Sequence, residues 1–198
     1  MSGLVATVSL KEFFKTLLEE AIGRQNLRIA EVTEFYLVNL LSEFAAAEKL
    51  FAPDSEGKRA QEPLALLYHQ ALQKEREEKI RILRRLGDVS LYRAGFFAGS
   101  LRDGPVSPDY YTQMGSAAYG QVASLAPSGG FAEVYRELCD KFQALVAVLE
   151  GISARGLASN GPSGTLRVYE AWARSGSDHL ERVLVDVGML TPKKGLPN

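Results

Sequence analysis

The chain has 198 residues, 46% hydrophobic and 24% charged, with 23 basic and 24 acidic side chains and a formal net charge of −1. That much apolar surface can build a core, which excludes disorder for most of the chain. The even charge balance argues against nucleic acid as a partner, because neutralising phosphates takes a basic face.

The first predicted helix opens at Ser9-Leu10-Lys11-Glu12, where serine and a glutamate three residues on form a capping box. Phe13, Phe14, Leu17, Leu18, Ala21 and Ile22 follow at helical spacing up to Gly23. A second helix spans about Ala30 to Ala46, with Thr33, Leu37, Leu40, Leu41 and Phe44 on one side. Val32, Phe35 and Tyr36 widen that stripe enough for two neighbours. Residues 52–61 are polar with proline and glycine and read as a loop.

Pro63 fits the first turn of a long third helix that stops at Gly87. Leu64, Tyr68, Leu72, Ile80 and Leu83 form its stripe, whereas Lys74 to Lys79 is charged nearly all round and is expected to project or meet a partner. Glu75–Lys79 and Glu77–Arg81 have the favourable i,i+4 order. Asp88 suits the N-cap of a short fourth helix, apolar on most sides, that runs to Leu101 and breaks at Arg102-Asp103-Gly104-Pro105. Ser107-Pro108 starts the fifth, with Tyr111, Met114, Ala118, Val122 and Leu125 on its stripe.

The sixth helix has the clearest period: Phe131, Val134, Leu138, Phe142, Leu145, Leu149 and Ile152. Gly156 to Gly164 reads as a flexible loop. Two shorter helices follow, one with Leu166, Tyr169 and Trp172, the other with Leu180, Val183, Leu184 and Val187 behind a Ser177 cap. No segment alternates with the two-residue period of a strand. The expected fold is all-α, a single-domain bundle of seven to eight helices over residues 1–190. Residues 165–190 form a C-terminal helical hairpin packed on it, and residues 191–198 a disordered tail.

The lone cysteine, Cys139, cannot form an internal disulfide and fits a reducing compartment. Met1 to Val8 lacks the features of a signal peptide, and no apolar run reaches about 18 residues, so the expected address is the cytoplasm, without a membrane span.

Chemical motifs are missing. A di-iron bundle needs Glu-x-x-His, but the residues three before His69 and His179 are Leu66 and Gly176. One cysteine and two histidines are too few for a cysteine–histidine zinc site. No phosphate loop and no hydrolase elbow occur. Cys139 lies beside the core stripe of its helix, where a thiol behaves as a small hydrophobe, although a Cys139–His dyad remains open. No catalytic residue, metal or cofactor is expected.

The candidate ligand or interface residues are Arg76, Arg81, Tyr92, Gly95, Phe96, Tyr110, Tyr111 and Gly115. Arg76 interrupts the apolar stripe between Leu72 and Ile80, and Arg81, Arg84 and Arg85 form a basic patch that also suits the helix dipole. Gly95 and Gly115 sit in glycine-rich helices, each helical glycine costing roughly 1 kcal/mol against alanine. They read first as close packing of two helices and alternatively as the floor of a cavity beside Tyr92, Phe96, Tyr110 and Tyr111. The tyrosines combine apolar area with a hydroxyl, as at interfaces.

Leu86-Gly87-Asp88-Val89-Ser90-Leu91-Tyr92 through Gly99, and Asp109-Tyr110-Tyr111 through Tyr119-Gly120, resemble stretches of an uncharacterised family of bacterial all-helical proteins. The resemblance spans roughly residues 30 to 190 and implies a bacterial source and a helical fold; it carries no activity and no site residues. The function expected first is a non-catalytic interaction protein, a homo-oligomer (dimer) or bound to another protein through the charged middle of the third helix and nearby aromatics. The alternative is a small-molecule-binding protein with its pocket between the helices near residues 89–101 and 108–125.

Overall fold

A computed structural model describes residues 9–50, 63–98, 101 and 106–189. Helices form where the apolar stripes lie, with no strand among the described residues: α1 (Leu10–Arg24), α2 (Glu31–Leu50), α3 (Leu64–Leu72), α4 (Arg76–Phe96), α5 (Pro108–Leu125), α6 (Gly130–Asp140), α7 (Phe142–Ala158), α8 (Pro162–Ser175) and α9 (Asp178–Asp186). The fold is all-α. The predicted loop at 52–61, the break at 102–105 and the tail at 191–198 lie outside the described residues. No helix among those described is long and apolar enough to cross a membrane.

Helix α4 is the hub, packed against α2, α3, α5 and α7. It has earned that place by burying residues on several sides: Leu83, Leu86, Gly87, Ser90, Leu91, Tyr92, Ala94 and Gly95. Helix α6 leans on α2, α5 and α7, α1 on α2 and α7, and the final pair α8–α9 on α7 and on each other. Two hydrophobic clusters result. The larger is centred on fully enclosed Leu37, Leu41, Leu83, Leu91, Tyr119, Tyr135, Phe142 and Leu149. The smaller joins Ala154 and Ala158 of α7 to Val168 of α8 and Leu180, Val183 and Leu184 of α9.

Local starts follow their caps. Ser9 and Glu12 exchange side-chain-to-backbone bonds, and the Ser107 hydroxyl accepts from the Tyr110 N–H ahead of Pro108. The divisions of the middle of the chain differ from expectation. The predicted helix from Pro63 to Leu86 is broken at Gln73-Lys74-Glu75, and the second piece runs through Gly87 and Asp88 to Phe96. No apolar residue lies between Leu72, itself 53% exposed, and Ile80, so burial does not hold that stretch straight. Charge pairing there is Lys74–Glu78 at 3.2 Å.

Gly87 does not stop the helix, because its missing side chain is where the Tyr119 ring sits; a Cβ there would stand 2.5 Å from Tyr119 Cε1. Asp88 is correspondingly not a cap but a residue in mid-helix. The predicted sixth helix is divided at Lys141 into α6 and α7, where the Lys141 ammonium turns to the Arg28 carbonyl and the Glu137 carboxylate. Glu137 also accepts from the Ala30 N–H at 3.0 Å, supplying the cap that the start of α2 lacks in its own sequence.

The expected loop at 156–164 is mostly helix, and only Ser159–Gly161 are non-helical. Gly161 turns the chain at φ 93°, and Gly164 lets α8 begin directly against α7, since a Cβ there would fall 1.9 Å from the Leu157 carbonyl oxygen. Ser177 does precede α9, but its hydroxyl makes no cap bond.

Candidate functional site

The predicted site residues do not all converge on one place. Arg76 is exposed, and its Nε and Nη2 both donate to the Leu125 carbonyl at 2.8 and 2.6 Å. It closes the C-terminus of α5, satisfying a carbonyl that has no helical partner. That occupation explains an arginine on an apolar stripe without an outside partner. Arg81 is exposed on the same helix. Tyr111 is buried and its hydroxyl accepts from Arg93 at 2.9 Å, while Tyr110 meets it edge-on at 5.9 Å between centroids.

The two glycines are packing contacts with different neighbours. A Cβ on Gly115 would stand 2.3 Å from Phe142 Cζ and 2.7 Å from Ser90 Cβ, so α5 lies closed against α4 and α7. A Cβ on Gly95 would stand 2.3 Å from Leu149 Cβ. That glycine admits α7, not α5, and the cavity floor expected between residues 89–101 and 108–125 does not form at Gly115.

The open space lies on the other side of α4. A groove of about 490 Å³ runs between its C-terminal end and the α7–α8–α9 unit. Tyr92, Gly95 and Phe96, three of the predicted residues, line it together with Phe97. Tyr92 is stacked between Phe44 and Phe96, with centroids at 4.4 and 5.0 Å, which fixes the aromatic wall. Ala154 and Leu157 of α7, Val168 and Ala171 of α8 and Leu180 of α9 form the opposite apolar wall. Arg167, Arg174, Glu150 and Glu170 edge it with balanced charge. The groove follows the seam between the larger and the smaller hydrophobic cluster.

A second constellation is internal. Asp88 Oδ1 accepts from the Tyr36 hydroxyl at 2.5 Å and the Tyr119 hydroxyl at 2.8 Å, and Arg84 Nε lies 3.7 Å from Oδ2. Arg84 also covers the Tyr36 ring at 5.4 Å. Burial pushes the Asp88 carboxyl above its ordinary value, against the downward pull of the two hydroxyls and of Arg84. Burial together with that carboxylate raises the Tyr36 and Tyr119 hydroxyls in turn. The Tyr135 hydroxyl nearby is buried without a hydrogen-bond partner. Asp88 lines neither the groove nor the smaller cavity between α1, α7 and α9, and its two hydroxyl bonds tie α2, α4 and α5 together.

His179 Nε2 contacts both the Glu150 carboxylate and, at 2.8 Å, the Ser177 hydroxyl. A serine–histidine–acid relay needs the two partners on opposite ring nitrogens, so this arrangement is a tie between α7 and α9. Cys139 is half-buried; the Ser116 hydroxyl donates to its carbonyl, while His69 contacts Gln73 and His179 contacts Glu150. Among the described residues no three His, Cys, Asp or Glu side chains group to hold a metal ion.

Sequence reasoning missed Asp88, Tyr36 and Tyr119 as a unit, and it missed the groove's far wall. For Asp88 a signal existed: a lone carboxylate within Leu86-Gly87-Asp88-Val89 lies inside an apolar run. For the groove none did, because its two walls are separated by more than fifty residues of chain. No family model, curated protein or solved structure matches the chain.

Proposed function

We propose that this is a non-catalytic cytoplasmic protein that binds a small, mainly apolar molecule in the groove between α4 and the α7–α8–α9 unit. The carrying observation is the groove itself: about 490 Å³ with two apolar walls, at a seam between two hydrophobic clusters. Ligand sites are commonly of about 300–1,000 Å³, mostly apolar, and placed where packed units meet. The rim carries Glu150 and Glu170 against Arg167 and Arg174, which favours a ligand without strong net charge. Native mass spectrometry of freshly purified protein tests it: a reproducible excess over 21.7 kDa, lost on denaturation, is expected.

Self-association is a second reading, and a different surface favours it. Val32 and Phe35 are 62% and 64% exposed one turn apart on α2. Phe131, 56% exposed, meets Tyr135 edge-on, and Tyr135 in turn meets Tyr36 of α2. A two-fold dimer through this face covers those rings. Sedimentation of the wild type would then give a dimer and Phe35→Lys a folded monomer; a monomeric wild type removes this reading.

A further inference from the structure

We infer that a second, smaller cavity, open to solvent and lined by α1, α7 and α9, is a binding site for a small oxyanion of the phosphate type. The inference is independent of the groove.

The cavity has a volume of about 170 Å³, and three helices each bring a guanidinium to it: Arg24 from α1, Arg155 from α7 and Arg182 from α9. Their negative partners are few. One oxygen of Asp186 serves both Arg24, at 2.5 Å, and Arg155, at 3.0 Å. Glu20 reaches the same two arginines only at 3.9 and 4.0 Å. Arg182 donates to the Arg24 carbonyl at 3.2 Å and has no carboxylate partner among the described residues. His179 adds a further potential donor to the wall. Arg155 feels this crowding: burial, then the neighbouring Arg24, lowers its pKa from the usual arginine range.

The shape fits the charge. Gly151 leaves the floor open, since a Cβ there would meet only the Gln25 side-chain amide at 3.8 Å. That amide is a neutral donor beside the guanidiniums. Planar guanidinium forks pair with tetrahedral oxyanions through two parallel N–H···O bonds, which a lysine cluster does not reproduce. Asp186 is half-exposed, with 48% of its side chain open, and occupies the position of the oxyanion in its absence. A carboxylate so exposed can swing away at small cost, because surface ion pairs contribute little. An oxyanion in its place spans all three arginines and ties α9 to α1.

The test is calorimetric titration of the full-length protein with inorganic phosphate, and with pyrophosphate to size the site. Saturable one-to-one binding that weakens as potassium chloride rises is expected. Arg155→Gln and Arg182→Gln should each lower the affinity by about tenfold or more, the loss of a charged hydrogen bond. Asp186→Asn should raise it, because the internal competitor is gone. Arg182→Lys keeps the charge and loses the fork, so an intermediate loss is expected. Thermal melts of each variant, with and without phosphate, separate lost binding from lost folding. Absence of saturable binding to both wild type and Asp186→Asn overturns the site. So does binding untouched by Arg182→Gln, or weakened in a folded Asp186→Asn protein.

Discussion

Asp88 is held by two tyrosine hydroxyls on a single oxygen, so the atom that organises the cluster is separable from the charge it carries. Asp88→Asn keeps an Oδ1 acceptor for both hydroxyls and removes a buried charge. Asp88→Ala leaves two hydroxyls orphaned, which costs on the order of 2–4 kcal/mol. The pH dependence has a defined sign. With the folded pKa raised above the unfolded value, native protein holds this proton more tightly, so the stability this group contributes is greatest in acid and is lost as pH rises through the folded pKa. Melts of wild type and Asp88→Asn should therefore diverge in favour of asparagine as pH increases. An Asp88→Asn protein much less stable than wild type at neutral pH would assign the ionised carboxylate a stabilising role with Arg84.

At the scale of helices, glycines test whether contacts or chain freedom govern stability. Gly95→Ala must push α7 away, since Leu149 Cβ is held by its backbone and stands 2.3 Å from the new atom. Overpacking of that kind costs about 1–3 kcal/mol, exceeding the roughly 1 kcal/mol gained from helix propensity. Gly156→Ala, within α7 itself, meets nothing within 4 Å and should be stabilising by up to about 1 kcal/mol. Opposite shifts in the melting midpoints of the two variants are expected; equal shifts would mean the helices re-space freely.

Elements were legible where the signal was local. Ser9 with Glu12, and Ser107 with Pro108, satisfy backbone groups within one turn, and both helices start where those residues stand. Leu138, Phe142, Leu145 and Leu149 are buried as their period requires. What failed was punctuation decided by distant neighbours. Gly87 is read as a stop until Tyr119 lies against it, and the periodic run divides at Lys141, whose ammonium reaches the Arg28 carbonyl and Glu137. The start of α2 depends on Glu137, more than a hundred residues along the chain. Of the candidate residues, Tyr92 and Phe96 did fall at the groove, since aromatics beside a helical glycine mark a close approach of helices. Arg76 did not, because its partner is a backbone carbonyl at the end of α5, which no side-chain pattern reveals.

For the whole molecule, the division of apolar residues into two clusters sets where the groove lies. The closed contacts of α4 with α5 leave no room, and the seam toward α7, α8 and α9 leaves a groove. The second cluster is small, six residues from Ala154 to Leu184, so α8 and α9 are the elements whose position a ligand can influence most. The Glu150–His179 contact at the groove's edge and the arginines about Asp186 fasten that pair to the rest.

Native mass spectrometry of wild type beside Ala171→Trp tests the groove most directly, because Ala171 lines it from α8 and an indole there fills the space. An excess mass of a few hundred daltons is expected on the wild type and none on a variant that melts as cooperatively as its parent. A bare wild type, or the same excess on both proteins, would contradict binding in the groove.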